Sequence, residues 1–218
     1  MPAIRFLSAI LIVLVMPLGA WAEESSASSA TAAAKDPVIK QPREIVDDTV
    51  AKVFSILRDP VYKDPAKKLA MREKTRSILL RVVDMNAICA LTLANYRKKF
   101  SEEQFAKFSD TFSRLLFSTY ITHLEKYSNE KVVILETKNL SDSRVQVRTK
   151  TVTDTKEMPV DFSFNKQNER WLLYDVNVEG VSLVVNYRSQ FREVLLNQTP
   201  EQLLQRLEQK VEENEKGP

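Results

Sequence analysis

The sequence predicts an α+β fold, an antiparallel four-stranded sheet wrapped by helices. Three observations carry this prediction. Apolar residues recur at three- and four-residue spacing as far as Leu124, they alternate at two-residue spacing between residues 131 and 178, and helical spacing returns after Gly180. Pro37 and Pro42 precede the first helical stripe, which runs Ile45, Val46, Thr49, Val50, Val53, Phe54 and Leu57 and stops at Asp59-Pro60. A second helix starts after Asp64-Pro65, because Asp suits an N-cap and Pro the first turn; it carries Leu69, Ile78, Leu79 and Val82. Asp84 caps a short third helix with Met85, Ile88, Cys89 and Leu91. Ser101-Glu102-Glu103-Gln104 is a capping box. It opens a long helix striped by Phe105, Phe108, Phe112, Leu115, Leu116, Tyr120 and Leu124, extending to Tyr127 over about 40 Å.

The strands follow at Lys131 to Thr137, Arg144 to Val152, Met158 to Phe164 and Trp171 to Val178, rich in β-branched and aromatic residues. Serial strands joined by short polar turns give a meander with one covered face. After Gly180, Val181, Val184, Tyr187, Phe191 and Leu195 form a helical stripe, and Thr199-Pro200-Glu201-Gln202 opens a last amphipathic helix with Leu203, Leu204, Leu207 and Val211.

Composition narrows the chemistry. The 218 residues contain three Gly, one Cys and one His. Three scattered glycines cannot build a Rossmann fingerprint or a P-loop, where backbone amides must approach phosphates closely. One Cys and one His exclude a zinc finger, an iron–sulfur site and an intramolecular disulfide. No metal or cofactor is expected.

The chain begins as a targeting segment does. Arg5 precedes the apolar run Phe6 to Met16, and Ala20 and Ala22 give a small-x-small ending. The run is shorter than the ~20 residues of a membrane span, so residues 1–22 are expected to be a secretory signal peptide. No Cys follows for lipid attachment. Residues 23–36 are Ser/Ala-rich and predict a flexible leader; residues 37–212 make one domain, and residues 213–218 a disordered tail. Without Arg5, 31 basic residues face 29 acidic ones, too little surplus for a nucleic-acid protein. The charge is nevertheless uneven: Lys63, Lys67, Lys68, Arg72, Lys74, Arg76 and Arg81 stand against Asp64 and Glu73. Such a helix is either a solvated face or a surface for anionic headgroups or an acidic partner.

No catalytic constellation emerges. His123 sits beside the long helix's apolar stripe, without a nucleophile elbow elsewhere. Asp175 and Glu179 share a strand face at a separation of about 13 Å, too far for paired carboxylate chemistry. Asp47 and Asp48 point apart on a helix, and Cys89 lies in an apolar stretch that suits a buried small hydrophobe. What remains is an aromatic and β-branched interior, either a filled core or a lined pocket; composition does not separate the two.

The segment Trp171-Leu-Leu-Tyr-Asp-Val-Asn-Val-Glu-Gly-Val-Ser-Leu-Val-Val-Asn-Tyr-Arg-Ser-Gln-Phe191 closely resembles the signature of the MlaC family, also called the toluene-tolerance family, the periplasmic phospholipid-binding proteins of the Mla lipid-transport system. The resemblance extends to Ser118-Thr119-Tyr120, Val145-Gln146-Val147-Arg148 and Pro159-Val160-Asp161-Phe162. It implies a nuclear-transport-factor-like sheet wrapped by helices around an apolar cavity. It further implies a non-enzymatic, monomeric periplasmic carrier that shuttles phospholipids between outer and inner membranes and maintains outer-membrane lipid asymmetry. The partners implied are an outer-membrane lipoprotein–porin complex and an inner-membrane ABC transporter with a ring of lipid-binding domains. The physics is consistent: each acyl CH₂ left in water costs ~0.8 kcal/mol, so ~30 of them cost on the order of 24 kcal/mol, and a carrier must enclose them. By position in the resemblance, the tails lie against Phe105, Phe108, Phe112, Leu116, Val147, Val160, Phe162, Tyr174, Val176 and Val184, with Tyr120 and Arg148 at the mouth. Strand alternation puts Val147 and Arg148 on opposite faces, so only one faces the cavity unless the strand edge forms its rim. Trp171 and Gly180 are expected to fix the fold. The rival reading is a periplasmic interaction module or chaperone that uses the basic helical face and carries no lipid.

Overall fold

The computed structural model describes residues 37–125, 130–153 and 155–216, with side chains from Pro42 onward. The expected signal peptide at 1–22 and leader at 23–36 lie outside the described residues. Helix α1 spans Pro37–Arg58 and includes both prolines that the sequence placed ahead of it. Pro37 supplies a preset φ at the first position, whereas Pro42 has no amide to donate to the Val38 carbonyl. Val46, Val53 and Ile56 form the buried stripe of this helix. Asp59 and Asp64 then each cap a short 3₁₀ turn, Pro60–Lys63 and Pro65–Lys67, and the second turn runs straight into α2, Lys68–Leu80.

The chain next crosses beside the sheet. The Asp84 amide donates to the Leu173 carbonyl and the Leu173 amide to Val82, both at 2.8 Å. One carboxylate oxygen of Asp84 accepts the Ala87 amide and caps α3, Met85–Leu93, while the other accepts from Asn165 and Gln167. After the 3₁₀ turn Ala94–Lys99 comes α4, Glu102–Leu124, where the Ser101–Gln104 capping box is formed in both directions.

Strands β1 Lys131–Ser141, β2 Arg144–Val152, β3 Glu157–Gln167 and β4 Arg170–Val178 are antiparallel neighbours in chain order. The sheet has five strands rather than the four expected, because β5, Val181–Ser182, pairs Val178↔Val181 and Asn177↔Ser182. The sequence assigned Val181 to the following helix. The backbone decides otherwise: Glu179 (φ 51°) and Gly180 (φ 87°) are both left-handed, the geometry of a type I′ hairpin, so the chain doubles back before it can coil. A Cβ at position 180 would meet no atom within 4 Å, so Gly180 is required there by its dihedral and not by space. Ser182 caps α5, Leu183–Asn197, through the Val185 amide, and the Asp175 carboxylate takes the Val184 amide and the Ser182 hydroxyl.

Helix α6 spans Pro200–Lys216, so residues 213–216, read from the sequence as tail, are helical. Arg114 pairs with Glu215 at 3.0 Å, and Asn214 donates to the Ser118 and Thr119 hydroxyls, anchoring that last turn on α4.

Two apolar cores result. The helical core gathers α3 to α6 around Phe108, Phe112, Tyr187 and Phe191, with Leu93, Leu195, Leu203 and Val211 filling between them. The sheet core joins Val46 of α1 to Val145, Val147, Phe164 and Trp171.

Candidate lipid site

Strand register sorts the sheet into two faces. Thr137, Val147, Phe162 and Val176 are cross-strand partners in one row, and Ile134, Thr149, Val160 and Val178 in the next. This apolar face carries α1 over β1 and β2. The Thr149 hydroxyl on this face donates to the Val160 carbonyl at 2.6 Å, whereas the Thr137 hydroxyl is buried without a hydrogen-bond partner among the described residues. The opposite face is charged: Arg148 is exposed between Glu136 at 2.7 Å and Asp161 at 3.8 Å.

Five buried apolar residues belong to neither core: Val53 and Ile56 of α1, Met71 of α2, Ile121 of α4 and Val160 of β3. On α1 they lie beyond Val46, the helix's residue in the sheet core, and on α4 beyond Leu115, its last buried residue in the helical core. Polar ties link the elements around them. Arg72 of α2 grips Glu125, just past the end of α4, with Nε–Oε1 at 2.5 Å and Nη2–Oε2 at 3.0 Å, and Lys68 joins at 3.3 Å. Burial works to raise the Glu125 carboxyl, but Arg72 and Lys68 outweigh it and hold the group below the usual glutamate range. The Arg58 guanidinium donates to the Glu130 carbonyl at 3.2 Å and lies over the Phe54 ring.

Two hollows flank α1, both open to solvent. The larger, of about 750 Å³, runs between α1 and the start of β1; Val50, Ala51, Phe54, Val132 and Val133 give it apolar walls, with Asp47, Arg58, Glu130 and Lys131 as its charges. The smaller, of about 370 Å³, lies between α1 and α2 beside Ile56, Lys74 and Ile78.

The residues singled out from sequence fall into separate groups. Phe108 and Phe112 are fully buried and stack on each other at 5.4 Å, with Phe191 edge-on to both. Leu116, Phe105 and Val184 pack on that same helical core, with Arg97 3.9 Å above the Phe105 ring. Val147 and Phe162 belong to the sheet core, Val160 lies beyond it, and Tyr174 and Val176 are half-buried on β4. Arg144 approaches the Tyr174 ring at 5.8 Å. Tyr120 is half-buried, with its phenol raised by burial and hydrogen-bonded to Tyr187. It and Arg148 do not meet: β2 is an interior strand, so Arg148 points away from the apolar face. The sequence reading did not single out Ile56, Met71, Ile121 or the Arg72–Glu125 tie. Their relation is long-range, and the buried stripes of α1 and α2 gave no sign of which residues would stand outside a core.

The other reactive candidates are otherwise engaged. Cys89 is fully buried, its thiol pushed up to about 12 by desolvation. His123 is exposed on α4. Asp175 caps α5. Among the described residues no cluster of His, Cys, Asp and Glu has metal-binding geometry, and no described helix is long and apolar enough to cross a membrane.

A family model described as MlaC protein matches residues 47–209, from α1 to α6. The chain belongs to the MlaC family. It is 28% identical over 172 residues to the intermembrane phospholipid transport system binding protein MlaC of Haemophilus influenzae, covering 76% of each chain. It is 23% identical over 156 residues to the toluene tolerance protein ttg2D of Pseudomonas putida, covering 71% of this chain and 73% of that one. Its fold is that of the phospholipid-binding protein from Ralstonia solanacearum solved in complex with a phospholipid, with a TM-score of 0.71 at 21% identity over 80% of this chain and 98% of that one. The MlaC match takes in every element that borders the two hollows.

Proposed function

We infer that this protein is a periplasmic phospholipid carrier that moves phospholipids between the outer and inner membranes and so maintains outer-membrane lipid asymmetry. The observation that carries the reading is the MlaC match over residues 47–209, which spans the apolar sheet face, α1, α2 and α4. Val147, Val160, Phe162 and Val176 offer the tails one wall, and Val53, Ile56, Met71 and Ile121 the facing one. Phe105, Phe108, Phe112, Leu116 and Val184 back this space from the helical core, and Tyr174 flanks it on β4. The region is an expandable cavity in a nuclear-transport-factor-like fold, filled by cargo and collapsed without it. Because Arg148 stands on the other sheet face, the headgroup is assigned to Arg58 and Lys131 at the larger hollow, with Tyr120 deeper.

The protein works as a monomer and performs no catalytic step; phospholipid is its cargo, not its cofactor. It receives and delivers lipid through the outer-membrane lipoprotein–porin complex and the inner-membrane ABC transporter of the Mla system. The chaperone-like alternative is weakened because Lys68 and Arg72, two of the basic residues it relied on, are engaged by Glu125. Mass spectrometry of gently purified protein tests the reading: phospholipid should be recovered with it. Protein that carries none, and takes none up from vesicles, would sink it.

A further inference from the structure

The segment joining α1 to α2 is ordered without being packed. Its two 3₁₀ turns have no buried residue. They are shaped locally, by Asp59 and Asp64 accepting the Val61 and Ala66 amides at 2.9 Å and by Pro60 and Pro65 fixing φ. That construction does not account for what the segment displays. Val61 is 51% exposed, and Leu69, in the first turn of α2, is 75% exposed, the highest value for a large apolar side chain among the described residues. Neither side chain contributes to a core.

Lysines surround them. Lys63 and Lys67 make no ion pair among the described residues, and Lys68 shares Glu125 with Arg72. The Lys74 ammonium lies 5.9 Å from the Tyr62 ring centroid and 3.5 Å from its hydroxyl, which brings a fourth cation back onto the turn. Asp64, the one acidic residue of 60–70, has its carboxylate turned onto the Ala66 amide.

We propose that the 60–69 segment is a docking surface for bilayers containing anionic phospholipid, engaged while cargo enters or leaves. This deepens the carrier reading and rests on it. Lysines bring long apolar stems and charged heads to the phosphate layer, Tyr62 suits the headgroup level, and Val61 and Leu69 enter the acyl boundary. An acidic protein would satisfy the lysines equally well. Side chains as widely exposed as Leu69 and Val61, which line neither hollow beside α1, favour instead a fluid apolar phase that needs no matching pocket. Location agrees: the segment follows directly on Arg58, which borders the larger hollow, so docking there brings the membrane to the end of α1 that lines that hollow.

The test is flotation of the purified protein with vesicles of phosphatidylcholine alone or mixed with phosphatidylglycerol. Binding should require phosphatidylglycerol and weaken at high salt. The double variant Lys63→Glu, Lys67→Glu should lower vesicle affinity at least about tenfold, and Leu69→Ser severalfold, with the melting temperature and co-purified phospholipid unchanged. Failure to float on phosphatidylglycerol vesicles, or variants that float as the parent does, overturns the docking surface while retained phospholipid leaves the carrier reading standing. The same substitutions abolishing capture of an acidic protein without changing flotation also overturn it. Flotation by protein that never holds phospholipid supports the surface and removes the carrier reading instead.

Discussion

Val160 and Val147 face the same side of the sheet in adjacent rows, yet the same substitution should affect them differently. Val147 is fully buried inside the sheet core beside Phe164 and Trp171, so Val147→Trp overpacks a filled space and should lower unfolding stability by about 1–3 kcal/mol. Val160 is buried but joins neither core. Val160→Trp should leave the urea midpoint nearly unchanged and cut co-purified phospholipid at least about tenfold, because the indole takes the volume a tail would use. A folded Val160→Trp protein with full lipid occupancy would show that the tails lie elsewhere. Glu125 gives a second test at this scale. Its folded carboxyl is depressed by Arg72 and Lys68, so its contribution is complete above the unfolded value of about 4.3. It is lost as pH falls through the depressed folded value. The difference in urea midpoint between the parent and Glu125→Gln should be clear at neutral pH and vanish in strong acid; a difference that persists there rules out ionisation of the pair as its source.

At the scale of elements, local chemistry sets the boundaries, and two hairpins put a Glu at positive φ, Glu179 in the β4–β5 turn and Glu169 in the β3–β4 turn. Asn168 (φ 45°) and Glu169 (φ 63°) form the β3–β4 turn, both left-handed. Asn suits that conformation and Glu does not. Glu169→Gly should therefore raise stability by about 0.5–1 kcal/mol, even though it removes the exposed Lys166–Glu169 pair; urea titration reads the change. The opposite sign is expected for Ser101→Ala, which breaks the capping box of α4 and should cost about 1 kcal/mol. Caps of this kind were legible because partners three residues apart are visible in the chain: the Ser101–Gln104 box forms as the sequence suggested, Asp84 caps α3, and Thr199 with Gln202 opens α6. The β5 hairpin was not legible. Val181 fits a helical stripe as well as a strand, and only the left-handed pair Glu179–Gly180 decides. The last turn of α6 was read as tail because Glu-rich residues bury nothing apolar there. Its support is polar and distant in sequence, from Arg114, Ser118 and Thr119. The candidate site was least legible of all. Phe108 and Phe112 read as possible tail contacts because a stripe looks the same whether it faces hydrocarbon cargo or another ring, and here Phe191 and Tyr187 meet them.

Across the whole molecule, these differences separate a self-sufficient part from a dependent one. The helical core closes on itself through α3, α4, α5 and α6, ring against ring, and needs nothing from the sheet's apolar face. Helices α1 and α2 have no comparable core. Val46 anchors α1 on the sheet, but Val53, Ile56 and Met71, though buried, join neither apolar core, and polar ties tether their helices: Arg58 on Glu130, and Arg72 and Lys68 on Glu125. A bound phospholipid would add apolar contacts around these residues, and any ligand that binds only the folded state adds RT ln(1 + [L]/Kd) to stability. That gain should not be uniform, because local opening follows local contacts. Hydrogen exchange should show protection of α1 after about Val50, of α2 and of the end of α4 falling by at least about tenfold on delipidation. The amides of α5, α6 and the first half of α4 should hold their rates. A uniform loss across all six helices would mean that cargo stabilises one undivided core. No loss anywhere would mean that the space between sheet and helices is filled by protein alone.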